Sequence, residues 1–281
     1  MAYPTVSAPY GLKPINLIGG QVFAGSTREL PIQYGYATNI FYGDFVVLAR
    51  GFATRAAVGT GTGVNQATGI FLGCSYTNPL TKQKTFSQYW PASTLAGDAA
   101  AIVCDDPDTV FRAVVCSSGV VVASGAKALI GTNLSCVNNA TGSTATGNSS
   151  NAILAPSATP VSTILPVRCV GVVPDTAYSG TGTGSSSSTT LTLTGSGAPF
   201  ALPVGTDVAY IAANGQLIET GSFVATAVVA GGTSVTLDSA IAVPGSVTAI
   251  PSSSTVVFTV YPEILVKMNL LIHGYYSSAT A

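Results

Sequence analysis

The chain has 281 residues, 47% of them hydrophobic and only 7% charged, with a formal net charge of −1. Globular chains carry about 25% charged residues, so Ser and Thr supply most of the hydrophilic share here. High hydrophobicity with low charge excludes intrinsic disorder. The missing basic field argues against nucleic acid as a partner, and no charge-free apolar run approaches the roughly 18 to 20 residues of a spanning helix.

In chain order, Met1-Ala-Tyr-Pro-Thr5 lacks the basic and apolar regions of an ordinary secretion signal. Pro4, Pro9 and Pro14 then recur every five residues among Tyr3, Val6, Tyr10, Leu12, Ile15, Leu17 and Ile18. Each proline removes a donor and extends its predecessor. Residues 1–30 therefore read as an extended apolar arm that needs another surface, either a neighbouring subunit or, as an edge strand, its own domain. Short β-branched runs follow at Phe45-Val-Val-Leu48, Ala101-Ile-Val-Cys104, Val110-Phe-Arg-Ala-Val-Val115, Val120-Val-Val122 and Val167-Arg-Cys-Val-Gly-Val-Val173. Only Ala92 to Ala101 and Gly125 to Ile130 offer short helix candidates. Asn138 to Pro160, rich in Thr, Ser, Asn and Gly, reads as a long surface loop.

Between Arg168 and Lys267 there is no Lys, Arg or His. Within that stretch, Ser179 to Ser188 has the composition of a flexible linker. Strand signals then recur at Thr189 to Thr194, Asp207 to Ala212, Gln216 to Glu219, Phe223 to Val229 and Ser234 to Leu237. Asn214-Gly215 predicts a type I′ turn and Gly231-Gly232 a second tight turn, with Ser252-Ser-Ser254 as an exit linker. The fold expected is mainly β: a sandwich or barrel-like core of residues 31–178 plus 255–281, an inserted small β domain over 179–254, and the arm 1–30.

The five cysteines, Cys74, Cys104, Cys116, Cys136 and Cys169, are odd in number and contain no C-x-x-C pair. That pattern reads as reduced structural thiols in a protein made in a cytosol. Gly59-Thr-Gly-Thr-Gly63 and Gly180-Thr-Gly-Thr-Gly184 lead into no helix, so they read as loops rather than nucleotide cradles. Asp105-Asp-Pro-Asp108 is either a polar turn between two strands or the start of a calcium site. His273 is the single histidine, too few for a multi-histidine metal site, and no acid or nucleophile is placed beside it. Lys82-Gln-Lys84 beside Tyr89-Trp90 reads as a solvated loop. The sequons at Asn133, Asn139 and Asn148 are chance matches in a hydroxyl-rich chain. No catalytic, cofactor-binding or metal-binding residues are assigned, and the chain reads as non-enzymatic.

Ala8-Pro-Tyr-Gly-Leu-Lys-Pro-Ile-Asn-Leu-Ile-Gly-Gly20 with Ala24-Gly-Ser-Thr-Arg28 resembles the N-terminal segment of a family of virion structural proteins from marine tailed phages. Ile70-Phe-Leu-Gly-Cys-Ser-Tyr76 with Thr81-Lys-Gln-Lys-Thr-Phe86, Asp105-Asp-Pro-Asp-Thr-Val-Phe111 and Ile264-Leu-Val-Lys-Met-Asn269 are similar to further segments of it. The resemblance covers most of residues 1–178 and 256–281, but neither the inserted part nor the loop from Asn138 to Pro160. It implies a capsid-decorating, or cement, protein on the capsid exterior, synthesised in the host cytoplasm. Its implied partners are the phage major capsid protein and neighbouring copies of itself as a homo-oligomer, with no nucleic acid and no membrane. A tail, fibre or head-fibre component touching the host, or a cell-surface β module, stays open as an alternative.

Overall fold

The computed structural model describes residues 6, 8–56, 67–118, 121–137, 141–155, 165–173, 176–185, 188–198, 201–241, 249–269 and 273. The Gly59–Gly63 run, Asn139 and Val120 lie outside them. Twenty strands follow in chain order among the described residues. They are β1 (Lys13–Leu17), β2 (Arg28–Pro31), β3 (Phe45–Ala49), β4 (Phe52–Arg55), β5 (Gly69–Thr77), β6 (Lys84–Ser87) and β7 (Ala100–Cys104). Next come β8 (Thr109–Ser118), β9 (Val121–Val122), β10 (Asn133–Leu134), β11 (Cys136–Val137), β12 (Ala152–Leu154) and β13 (Val167–Val173). The last are β14 (Thr176–Ser185), β15 (Thr190–Leu193), β16 (Asp207–Ile211), β17 (Leu217–Phe223), β18 (Ser234–Thr236), β19 (Ala249–Val260) and β20 (Glu263–Met268). The fold is all β.

Three sheets result. The largest runs β10-β13-β20-β8-β12-β11, with β1 and β9 also paired to β8. A second runs β2-β7-β5-β3-β4, with β6 on β5, and it curls until its edges β2 and β4 touch, making a nearly closed barrel. Alternation fills that barrel: Val46, Phe71, Tyr76, Ala101 and Val103 point inward around Trp90. The Trp90 indole N–H donates to the Tyr36 carbonyl at 3.3 Å, and its ring meets Tyr76 edge to face at 5.4 Å. On the outer face of the barrel, Phe45, Ile70 and Cys104 pack against Phe111, Ala113, Val167, Ile264 and Val266 of the largest sheet. That shared layer is the main core.

The third sheet, β17-β16-β19-β14-β15-β18, is built wholly from residues 176–260. A bridge between Val224 and Leu237 draws its two edges together around Leu191, Tyr210, Val235 and Phe258. Phe223, at the end of β17, leaves this cluster and plugs into the main core instead.

Several expectations are revised. Ser179 to Ser188 is largely the strand β14, paired on one side with β19 and on the other with β15. Ser252 to Ser254 lies inside β19, where Ser253 (φ 61°) sits at a register shift opposite Gly182 and Gly184. At Asn214-Gly215 only Gly215 has positive φ (81°). Its N–H donates to the Ala212 carbonyl at 2.8 Å, and the Ala212 N–H to the Gln216 carbonyl at 2.9 Å. That is a type I turn closed by a glycine bulge, not type I′. The strand expected over Phe223 to Val229 ends at Phe223.

Neither helix candidate is an α-helix. Ala92 to Ala99 is irregular, with Ser93 at φ 60° and Ala96 and Ala99 turned into the barrel. Gly125 to Ile130 contributes one 3₁₀ turn, Lys127–Leu129, because so short a segment cannot offset the cost of helix nucleation. Within Asn138 to Pro160, β12 pairs in parallel with β8, and Ser149, Asn151, Ala152 and Ile153 are buried.

For residues 8–17, the extended arm resolves as an edge strand on the chain's own sheet. β1 pairs with β8, and Leu12 is fully buried in the main core. The approach depends on two glycines: a Cβ on Gly43 (φ 90°) would stand 2.7 Å from the Leu12 nitrogen and 2.8 Å from the Gly11 Cα.

Arg50 and Gly51 form the two-residue turn between β3 and β4, with φ of 51° and 85°. A left-handed Arg costs roughly 1 kcal/mol that Asn largely avoids. Arg50→Asn is expected to raise unfolding stability by about 0.5–1 kcal/mol, read as a higher urea midpoint at unchanged m. A lower midpoint would show that the Arg50 side chain stabilises the hairpin.

Candidate functional site

The acidic run resolves as a turn between β7 and β8 whose carboxylates face different partners. Asp105 pairs with Arg28 at 3.0 Å, Asp106 accepts the Asp108 N–H at 2.9 Å, and Asp108 pairs with Lys267 at 2.6 Å. They do not converge, and among the described residues no group of three metal-ligating side chains forms. His273 is buried, with Nε2 3.0 Å from the Asp105 carbonyl, and desolvation lowers its pKa from the ordinary value. It is a packed core histidine. Lys84 pairs with Asp98 at 3.0 Å while Trp90 fills the barrel, so that lysine and the indole do not share a surface. Gly180 to Gly184 is strand backbone. Asn133 accepts from Asn269 at 3.1 Å and Asn148 from Gln88 at 3.1 Å.

All five cysteines are free and buried. Burial pushes Cys74 up to about 12 and Cys116 and Cys169 up to about 11. It also raises Cys104 and Cys136. A thiol so displaced carries almost no thiolate at neutral pH, and nucleophilic chemistry needs thiolate.

Two polar networks escaped the sequence reading because their members are far apart in the chain. The first surrounds Asp44, which has no solvent exposure. One carboxylate oxygen accepts from Ser149 Oγ at 2.5 Å and Asn151 Nδ2 at 3.1 Å; the other accepts from the Phe41 N–H at 2.8 Å and pairs with Arg55 at 3.1 Å. Burial raises the Asp44 pKa, against the pull of Arg55, Ser149 and the Phe41 amide. In the second, Glu263 of β20 accepts from the Tyr10 hydroxyl and pairs with Arg112 of β8. Desolvation, then the Glu263 bond, raise the Tyr10 pKa. Lys13 stands over the Tyr10 ring at 4.3 Å.

The third sheet meets the main core at Asp207. Its carboxylate accepts the Lys127 N–H at 3.1 Å, the Lys127 ammonium pairs with Glu219, and Ser124 donates its N–H to Val204 at 2.8 Å. Burial pushes Asp207 up to about 6; Lys127 pulls it down, and Glu219 and Asp238 push it further up.

On the surface, an open groove of about 570 Å³ runs beside β6, lined by Lys13, Tyr42, Leu72, Phe86, Gln88 and Ile102. Three large apolar side chains also project from loops at one end of the barrel: Tyr34 (61% exposed), Leu80 (89%) and Leu95 (55%). Their loops are tied together, because Gly35 donates to the Thr94 carbonyl at 3.2 Å and Thr77 to Asp98 at 2.9 Å. Phe86, 76% exposed on β6, stands on the same body. Exposed apolar clusters on a soluble surface mark sites that another molecule covers. No protein-family model, no curated protein and no solved structure matches the chain.

Asp44→Asn removes the counter-charge of buried Arg55 and turns an amide towards other donors. The expected loss is about 3–5 kcal/mol, measured by urea unfolding; a loss below about 1 kcal/mol would mean that the network is dispensable.

For Asp207, the folded chain takes up its proton before the unfolded chain as pH falls. This group therefore adds stability as pH drops from 7 to 4, and that contribution is lost as pH rises through about 6. Asp207→Asn keeps an acceptor for the Lys127 amide and removes the titration. The variant should be about 1–2 kcal/mol more stable than the wild type at pH 8 and nearly level with it at pH 4. An unchanged difference between the two pH values would contradict this.

Proposed function

We propose that this chain is a non-enzymatic virion structural protein that decorates and stabilises the capsid lattice of a tailed phage. On this reading it is synthesised in the host cytoplasm, binds the major capsid protein on the capsid exterior and stands beside further copies of itself. The observation that carries the reading is the cluster of Tyr34, Leu80 and Leu95 on three linked loops at one end of the barrel. Exposed Lys82 and the Lys84–Asp98 pair stand on the same loops, and large apolar side chains beside a few charges suit docking on a fixed protein surface.

The family-like segments support it further. They supply β1, β5, β6, the β7–β8 turn and β20, and so fall in the barrel and the largest sheet rather than in the third. A lattice multiplies a modest contact, since bound neighbours raise one another's effective concentration. Contacts made with apolar and hydroxyl groups also lose little to salt screening. A second reading, a tail or head-fibre component, is favoured by the exposed Ile211–Leu217 pair beside the turn of the β16–β17 hairpin.

Mixing the purified chain with undecorated expanded capsids should give saturable binding and raise their resistance to heat. Leu80→Ser with Leu95→Ser should leave the chain's own melting unchanged and weaken binding about tenfold or more. Binding to tail complexes or host cells alone would replace this reading with the fibre reading.

A further inference from the structure

The N-terminal strap, residues 8–22, is held by contacts to residues far along the chain. β1 ends in a tight return, with Leu17 donating to the Gln21 carbonyl at 2.8 Å and Asn16 bridging Val22. The anchors of the strap on the rest of the chain all lie beyond residue 27. Gly11 donates to the Asn151 carbonyl at 3.1 Å, Leu12 to Gly43 at 3.2 Å and Ile18 to Asp108 at 2.9 Å. The Tyr10 hydroxyl bonds Glu263, and Lys13 to Leu17 pair with Thr109 to Arg112. After half-buried Phe23, the link to β2 is Ala24-Gly-Ser-Thr27, small residues that are exposed and belong to no strand.

We propose that this strap exchanges between two copies of the chain, each copy laying its residues 8–22 into the seat on the other. The seat is shaped for this segment: the Gly11–Gly43 approach, the pocket for Leu12 and the Glu263 carboxylate fit one sequence, and a second copy supplies that same sequence. Exchange keeps every strap contact, so its cost is association alone, which high local concentration offsets. The strap tip carries Ile18 (50% exposed) and Val22 (81%). In the closed chain those two side chains cover little. The inference stands apart from the capsid reading, since it concerns two copies of this chain and needs no shell.

Asn16 and Val110 face each other across β1 and β8, so Asn16→Cys and Val110→Cys form a reporter pair, and the native thiols are buried. The two single variants are mixed, unfolded and refolded together at rising concentration, then oxidised. Exchange predicts a covalent dimer in the mixture, increasing with concentration and absent from either variant alone. Deleting Gly25 and Ser26 shortens the hinge and should shift the chain from monomer to dimer by light scattering. A mixture without covalent dimer at every concentration, while the doubly substituted chain crosslinks within itself, overturns the proposal. A hinge-shortened chain that stays monomeric overturns it independently of the cysteines.

Discussion

The Asp44 carboxylate, sealed from solvent, is where the separate parts of the molecule meet. Arg55 fixes it to the end of β4, the Phe41 amide to the turn before β3, and Ser149 and Asn151 bring in a segment more than 100 residues away. Asn151 also accepts from Gly11, and Gly43 from Leu12, so the N-terminal strap is fixed by residues on either side of the same carboxylate. A buried ion pair contributes little net stability against a well-packed apolar alternative, yet losing one partner is severe. Its value here is positional. The barrel, the strap and the 141–151 segment meet in the arrangement that brings Ser149, Asn151, the Phe41 amide and Arg55 onto this one carboxylate.

Charge is used the same way throughout. Among the described residues, ion pairs join Arg28 to Asp105, Arg55 to Asp44, Arg112 to Glu263, Lys127 to Glu219 and Lys267 to Asp108. Apart from Arg55 and Asp44, which flank one hairpin, the partners are distant in sequence, and each such pair pins one strand or turn to another. With few charges in the chain and many of them committed to such pins, the outer surface is left to hydroxyls and scattered apolar side chains. That surface has little long-range field. A surface of that kind suits recognition by shape and contact rather than by steering.

Local signals were legible in the sequence. Phe45 to Leu48, Ala101 to Cys104 and Val167 to Val173 are β-branched or aromatic runs bounded by turn residues, and each is a strand. What failed depended on neighbours rather than composition. A Gly-Ser-Thr run reads as a linker, yet strands on both sides of β14 satisfy its backbone, and a central strand needs no apolar side chain of its own to be held. Asn214 favours a left-handed turn locally, but the register of β16 and β17 places that conformation on Gly215 alone. Ile153 sits in a hydroxyl-rich stretch that composition assigns to the surface; parallel pairing with β8 buries it. The candidate docking face was illegible for the same reason: Tyr34, Leu80 and Leu95 belong to three loops, and the pairing of β7 with β2 and β5 is what brings those loops to one end.

An image reconstruction of intact particles tests the central claim most directly. The account predicts density for this chain repeated across the capsid lattice, with the barrel end bearing Tyr34, Leu80 and Leu95 against the shell. Density confined to the tail or to a single vertex, or a barrel end facing solvent, would contradict it.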